Sequence, residues 1–428
     1  MARIRPERRT PVDLAVTAAI IVVTVVVGLL VWANSPVRQT ESVQAVAPVP
    51  EVEPSAQVPT ALTPSWRAQS PATRIPAVAN STVVTADGGT VAGRDPRTGR
   101  ELWRYTRNLD LCAAIAAWPA SNNKVLAAYR NSRGCGEITA LDASSGQRAG
   151  GRSSDADDRV RLLSDSGYVV SQGPTRLETW GSNLVRGIEY GRVDAPVNPD
   201  VQPGRSDCQL LSSAVGGSRV AVIERCADDP GYRLTVLGAV LDDDEDVQQY
   251  GSSIITDGSA GPPPILIAMT SSTIAVYDGG GDPPLPAADT PTPDGNRTPT
   301  IRQFSSDGAP TATNTVNGVQ APPGDGVVVT GGGLTTFYTG TATVVLDASD
   351  LRPIYQIPGT IGTGEVMAGQ LLLPTADGVS VRDGATGREL RAMTLPRDGR
   401  RDEPVALRVL GADVIEQWGP TVTSYSPA

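Results

Sequence analysis

The sequence predicts an all-β fold, an eight-bladed β-propeller preceded by one N-terminal transmembrane helix and a Pro-rich linker, with seven blades as the alternative count. Three observations lead there. The stretch Val91-Ala-Gly-Arg-Asp-Pro-Arg-Thr-Gly-Arg-Glu-Leu-Trp103 returns in degraded form, as Ile138-Thr-Ala-Leu-Asp142-Ala-Ser-Ser-Gly146 and as Val379-Ser-Val-Arg-Asp383-Gly-Ala-Thr-Gly387-Arg-Glu-Leu390. Weaker echoes end at Tyr277-Asp278-Gly279 and Val345-Leu346-Asp347, so the Asp positions 95, 142, 278, 347 and 383 are separated by 47, 136, 69 and 36 residues, and the long interval is close to three units the size of one four-stranded blade. Composition agrees, since 45 Gly and 36 Pro with only 4% aromatic residues suit many short strands joined by turns.

Each element follows in order. Arg3, Arg5, Arg8 and Arg9 precede twenty uncharged residues, Leu14 to Ala33. At roughly 1.5 Å per residue that run crosses one bilayer core of about 30 Å. It exceeds the roughly 7 to 15 apolar residues of a cleaved signal peptide. The basic flank stays cytoplasmic and everything beyond Trp32 is expected outside the cell membrane. From Ser35 to Pro64 the chain turns to Pro, Val, Glu, Gln and Ser, a composition that buries no core and reads as a spacer reaching up to about 90 Å. The organisation expected is a cytoplasmic tail over 1–13, the transmembrane helix over 14–33, the linker over 34–64 and the propeller over 65–428.

In the first copy an extended run, Thr82 to Ala86, precedes the turn Asp87-Gly88-Gly89, a second run, and the Asp95 to Gly99 turn, which together read as a β-meander. Complete units are placed at Ala77 to Thr106, Leu111 to Arg152, Arg159 to Arg192, Cys208 to Tyr250, Ser252 to Phe304, Thr311 to Pro358 and Val366 to Leu395. An eighth, Val405 to Ser426, lacks its outer strand. The extended piece Ser65 to Gln69, around Trp66, is expected to supply it and to close the ring through the two termini, removing an exposed edge.

Chemistry is constrained by what the chain contains. A formal charge of −10 argues against a nucleic-acid surface, and the absence of any His removes His triads and His-ligated metals. Cys112 with Cys135 and Cys208 with Cys226 fall within single units, so of the three pairings open in principle the within-blade one needs no long reach. Export supplies the oxidising compartment for both bridges. Asp242 to Asp246 imitates a calcium loop but has Val247 where Gly belongs and Ser253 where Glu belongs, so a solvated turn is expected. Asp282 to Thr300, rich in Pro, Thr and Asp, interrupts a blade as a protruding loop.

Asp95, Thr98, Gly99 and Trp103 resemble the repeat of the PQQ-like (pyrroloquinoline-quinone, quinoprotein-type) propeller family, and the anchored layout resembles its membrane-bound members in high-GC Gram-positive bacteria. The second copy keeps Asp142 and Gly146 with Gly150 at the Trp position, and the third keeps Asp383, Thr386 and Gly387 with Arg391 there. The resemblance implies the fold, with the repeat residues tying turns and strands inside each blade. It includes both dehydrogenases and non-catalytic relatives. The catalytic members pair an Asp base with a calcium site, and many add a disulfide between adjacent cysteines; no such constellation is found in this sequence. No catalytic, cofactor-binding or metal residue is therefore assigned. The expectation is a single-pass membrane protein whose non-catalytic propeller binds protein or cell-envelope partners, with a PQQ- and calcium-dependent dehydrogenase as the alternative.

Overall fold

In a computed structural model of the chain, the residues described are 10–428 apart from 34, 36–37, 119–120, 194–204, 244, 257–260, 281–297, 326 and 398–402. The basic tail and most of the Asp282 to Thr300 stretch lie outside them. The first element is helix α1, Pro11–Ala33, with no buried residue. Its start is fixed by a reciprocal cap: the Thr10 amide donates to the Asp13 carboxylate at 2.8 Å and the Asp13 amide donates back to the Thr10 hydroxyl at 3.3 Å.

Eight sheets follow among the described residues, each built on an antiparallel meander and each a blade, the eighth with the short strand Gly362–Thr363 added in parallel to its innermost strand. Blade 1 has the strands Ala77–Val78, Val83–Asp87, Thr90–Arg94 and Glu101–Arg107; blade 2 has Leu111–Ala117, Lys124–Asn131, Gly134–Asp142 and Arg148–Ser153. Blades 3 to 7 occupy 161–191, 209–254, 265–315, 328–358 and 365–394. The second strand of a blade is sandwiched between its neighbours, so both its faces are apolar. Val125 to Tyr129 in blade 2 and Val220 to Ile223 in blade 4 are unbroken apolar runs with no exposed surface.

Ring closure is as the sequence predicts. Blade 8 takes Val405–Leu410, Asp413–Trp418 and Thr421–Pro427 from the C-terminus and its outer strand, Leu62–Gln69, from the N-terminal side. The register runs from Leu62 opposite Pro427 to Gln69 opposite Thr421, with a bulge between Pro64 and Trp66. Pro64 is tolerated because this strand is an edge. Gln417 seals blade 8 to the start of blade 1, its amide donating to the carbonyls of Ser70 and Thr73 while its oxygen accepts from the Thr73 hydroxyl at 3.0 Å.

Three expectations are corrected. The segment read as a spacer is a strap on the propeller. Its strand Thr40–Val43 adds a fifth strand to the outer edge of blade 1. Beyond that strand, Ala45 and Val49 donate to the carbonyls of Ser145 and Ser144, and Val52 donates to that of Asn80. Further on, Val58 and Leu62 are buried with apolar residues of blades 7 and 8. Prolines prevent a helix but leave carbonyls and interspersed valines free to dock. Secondly, two blade boundaries move: Ser252 belongs to the outer strand Gln249–Ile254 of blade 4, and Thr311 to the outer strand Pro310–Thr315 of blade 5. The insertion between Asp278 and Thr300 displaces the count there, because it separates two strands that pair directly. Thirdly, Asp278 ends the second strand of its blade, at the opposite rim from Asp95, and is no copy of it.

Candidate functional site

The repeat residues build one device several times. In blade 1 the Asp95 carboxylate accepts from the amides of Arg97 and Thr98 and from the Thr98 hydroxyl, at 3.1, 2.8 and 2.9 Å. Gly99 has φ +70°, which only a residue without Cβ adopts freely, and its amide closes the turn onto the Asp95 carbonyl. Asp142, with Ser144, Ser145 and Gly146, repeats this in blade 2, and Asp383, with Thr386 and Gly387, repeats it in blade 7. Burial pushes the Asp95 and Asp142 carboxyls up, but these donors outweigh it and hold both below the usual carboxylate range. At Asp383 the Thr386 hydroxyl and amide lower the pKa directly.

These turns join blade to blade, which corrects the expectation that the repeat works only within a blade. Trp103 is buried in blade 1, yet its indole nitrogen donates to the Ala143 carbonyl of blade 2 at 2.8 Å and its ring covers Gly146, where a Cβ would lie 2.6 Å away. Trp66 repeats the contact from blade 8 to blade 1, donating to Pro96 at 2.8 Å and covering Gly99. Tyr355 does so from blade 6 to blade 7, its hydroxyl donating to Gly384 at 2.7 Å over Gly387. Each acceptor is the residue after the turn Asp. At the Trp position of blade 7, Arg391 instead donates to the carbonyls of Val58 and Pro59 at 3.0 and 2.6 Å, so the strap occupies that joint.

Two further parts of the device are not among the repeat residues expected above. Arg94 with Glu101 in blade 1 recurs as Arg382 with Glu389 in blade 7, each Arg also donating to the turn Gly carbonyl. The signal was present as Arg-Asp-x-x-Thr-Gly-Arg-Glu in both copies. Asp347 forms a fourth such turn with Ser349, but Leu351, at φ +56°, stands where Gly is expected and hides it.

Both disulfides form as expected, Cys112 to Cys135 in blade 2 and Cys208 to Cys226 in blade 4. The buried carboxylates are engaged by arginine. Glu178 accepts from Arg176 at 2.9 Å and from Arg152 at 3.2 Å, Glu365 from Arg408 at 2.9 Å, and Glu416 from Arg397 at 2.5 Å. Glu224 accepts from Arg205, Tyr190 and Thr235 at 2.9, 2.9 and 2.6 Å. Asp413 is the exception: burial raises its pKa, and one of its oxygens has no partner among the described residues. A cavity between blades 2 and 3, beside Glu178, has about 10 Å³ for a water-sized sphere, and one beside Glu416 and Tyr425 about 40 Å³. Such spaces suit ordered water.

A calcium and quinone site needs free oxygen donors. Among the described residues, Cys208, Glu224 and Cys226 bring candidate ligand atoms together, but their sulfurs are bonded to one another and the carboxylate is taken by three donors. That cluster does not fit the group. Asp242 accepts the Asp246 amide in a turn at the blade 4 rim, as expected of a solvated turn.

Among the described residues the fold is an eight-bladed propeller behind one helix long and apolar enough to cross a membrane. No protein-family model and no curated protein matches the chain. Among solved structures, the computationally designed Ika8 protein matches with TM-score 0.51 at 14% identity, covering 89% of this chain and 99% of its own. BamB from Moraxella catarrhalis matches with TM-score 0.49 at 12% identity, covering 85% and 99%. Dihydro-heme d1 dehydrogenase NirN in complex with DHE matches with TM-score 0.46 at 13% identity, covering 79% and 67%. At these identities the likeness is one of fold.

Proposed function

We propose that this chain is a single-pass membrane protein that displays a non-catalytic, PQQ-like propeller outside the cell membrane, as a scaffold for protein partners or envelope components. The observation that carries the reading is where the repeat's polar residues go. Asp95, Asp142 and Asp383 cap their own turns, Trp66 and Trp103 lock neighbouring blades, and Glu178, Glu224, Glu365 and Glu416 are held by arginine, so these groups serve the rigidity of the ring. A rigid ring with variable rim turns is suited to binding. The anchor is supported by 23 helical residues none of which is buried, and the outside location by two disulfides and by the Arg3 to Arg9 flank.

The test is purification of the full-length protein, addition of PQQ with calcium, and assay of dye reduction with alcohols and sugars. No reduction is expected. Turnover that depends on the cofactor replaces this reading with that of a dehydrogenase. A reporter fused after Ala428 is expected to be active only outside the cytoplasm, and cytoplasmic activity refutes the orientation.

A further inference from the structure

The strap fixes which rim of the ring meets the membrane. One rim carries the hairpins between second and third strands, such as Asn131 to Gly134 in blade 2, and the crossings between blades, such as Asn108 to Asp110. The other carries the Asp95, Asp142, Asp347 and Asp383 turns. The strand Thr40–Val43 enters with Thr40 opposite Arg107 and leaves with Val43 opposite Arg104. The end nearest α1 is therefore at the hairpin rim. From there the strap crosses to the other rim, where Ala45 binds Ser145, Val52 binds Asn80, and Gly411 lies against Val52.

We infer that the hairpin rim of blades 1 and 2 rests at the bilayer surface and that the rim bearing the Asp-x-x-Thr-Gly turns faces outward, toward partners. This rests on α1 being a membrane span. Seven residue steps separate Ala33 from Thr40, which reach at most about 25 Å when fully extended. At the helix end the Ser35 amide donates to the Trp32 carbonyl, the Arg38 amide donates to the Ser35 carbonyl, and the Arg38 guanidinium lies 4.3 Å from the centre of the Trp32 ring. A Trp at the end of a span with an Arg beside it is the pairing that settles at headgroup depth. The strand Gly134–Asp142 then carries the blade about 26 Å from the hairpin rim to the outer turns, at roughly 3.3 Å per residue. Both disulfides lie at the hairpin rim, Cys135 beside its hairpin and Cys226 after the second strand of blade 4, so the membrane-facing side is the covalently stapled one. The outward rim carries Val185, Val240 and Leu241, which are exposed apolar residues at the third-to-fourth-strand turns of blades 3 and 4.

The test uses the full-length protein in phosphatidylcholine vesicles. Ser132→Cys on the hairpin rim and Gln147→Cys on the outward rim, both at exposed turn positions of blade 2, are labelled with a fluorophore, and quenching by nitroxides on the lipid headgroups is measured. Position 132 is expected to be quenched several-fold more strongly than 147, and a long Gly/Ser insertion between Arg38 and Gln39 is expected to erase the difference. Equal quenching, or stronger quenching at 147, in protein that floats with the vesicles overturns the orientation alone. A difference that survives the insertion overturns the tether as its cause. Failure to float with vesicles overturns the anchor and the orientation together.

Discussion

Removing the Trp103 indole breaks the joint between blades 1 and 2. Truncating a fully buried Trp to Ala costs about 3–5 kcal/mol. The Ala143 carbonyl loses its 2.8 Å donor, which adds about 1 kcal/mol. Unfolding entropy is about 2.1 cal/mol/K per residue, or ~0.8 kcal/mol/K over roughly 390 residues of strap and propeller, so Trp103→Ala should lower Tm by about 6 °C. Gly146→Ala strikes the same contact from the other side. Its Cβ would lie 2.6 Å from Trp103 at φ +71°, costing about 1–3 kcal/mol of overpacking and about 1 kcal/mol of backbone strain. In the double variant the ring atoms 2.7 and 2.8 Å away are gone, while the Cβ at 2.6 Å that Ala keeps remains, so the losses should fall short of additive by about 1 kcal/mol. Thermal unfolding of all four proteins in one detergent, followed by circular dichroism, measures this. Additivity within about 0.5 kcal/mol refutes the blade-to-blade contact.

A chain lacking 1–69 should aggregate or melt earlier than one lacking 1–38, because only the first exposes the edge of Thr421–Pro427; light scattering on heating compares them. Reduction of both disulfides, which close loops with sequence separations of 23 and 18, should remove about 3 kcal/mol each and lower Tm without changing the far-ultraviolet spectrum at 25 °C. The Asp229 carboxyl is held down at about 2, chiefly by Arg233, with burial opposing and Arg205 assisting. A depressed carboxyl stabilises the fold above its unfolded pKa of about 4, and that contribution is lost as pH falls through the folded value. Tm should therefore drop between about pH 4 and 2, and Arg233→Ala should flatten that part of the profile.

The parts of this fold legible in the sequence are those encoded locally. The Asp95, Asp142 and Asp383 turns announce themselves because an Asp followed by Thr or Ser and Gly can satisfy its own amides within a few residues. Closure through Trp66 was legible because the last unit ended one strand short. The cysteines followed once strands were placed. What escaped depends on partners distant in sequence. The strap docks through the backbone amides of Ala45, Val49 and Val52 and the carbonyls of Val58 and Pro59, and backbone groups leave no side-chain pattern to read. That Trp103 reaches Ala143 needs the distance between blades, which spacing along the chain does not contain. Asp278 misled because Tyr-Asp-Gly suits a strand end at either rim. Asp347 was only an echo because Leu351 adopts the conformation that Gly takes elsewhere.

A scaffold of the kind proposed engages its partner through the outward rim. A photo-crosslinking residue placed at Gln147, Val185 or Leu241 of the full-length protein in its native envelope, followed by mass spectrometry, tests it directly. A discrete, recurrent protein or envelope adduct is expected from these positions, weakened by neighbouring substitutions that leave Tm unchanged, with lipid adducts instead from Ser132. An absence of partner adducts from every outward-rim position, with protein adducts from Ser132, would contradict it.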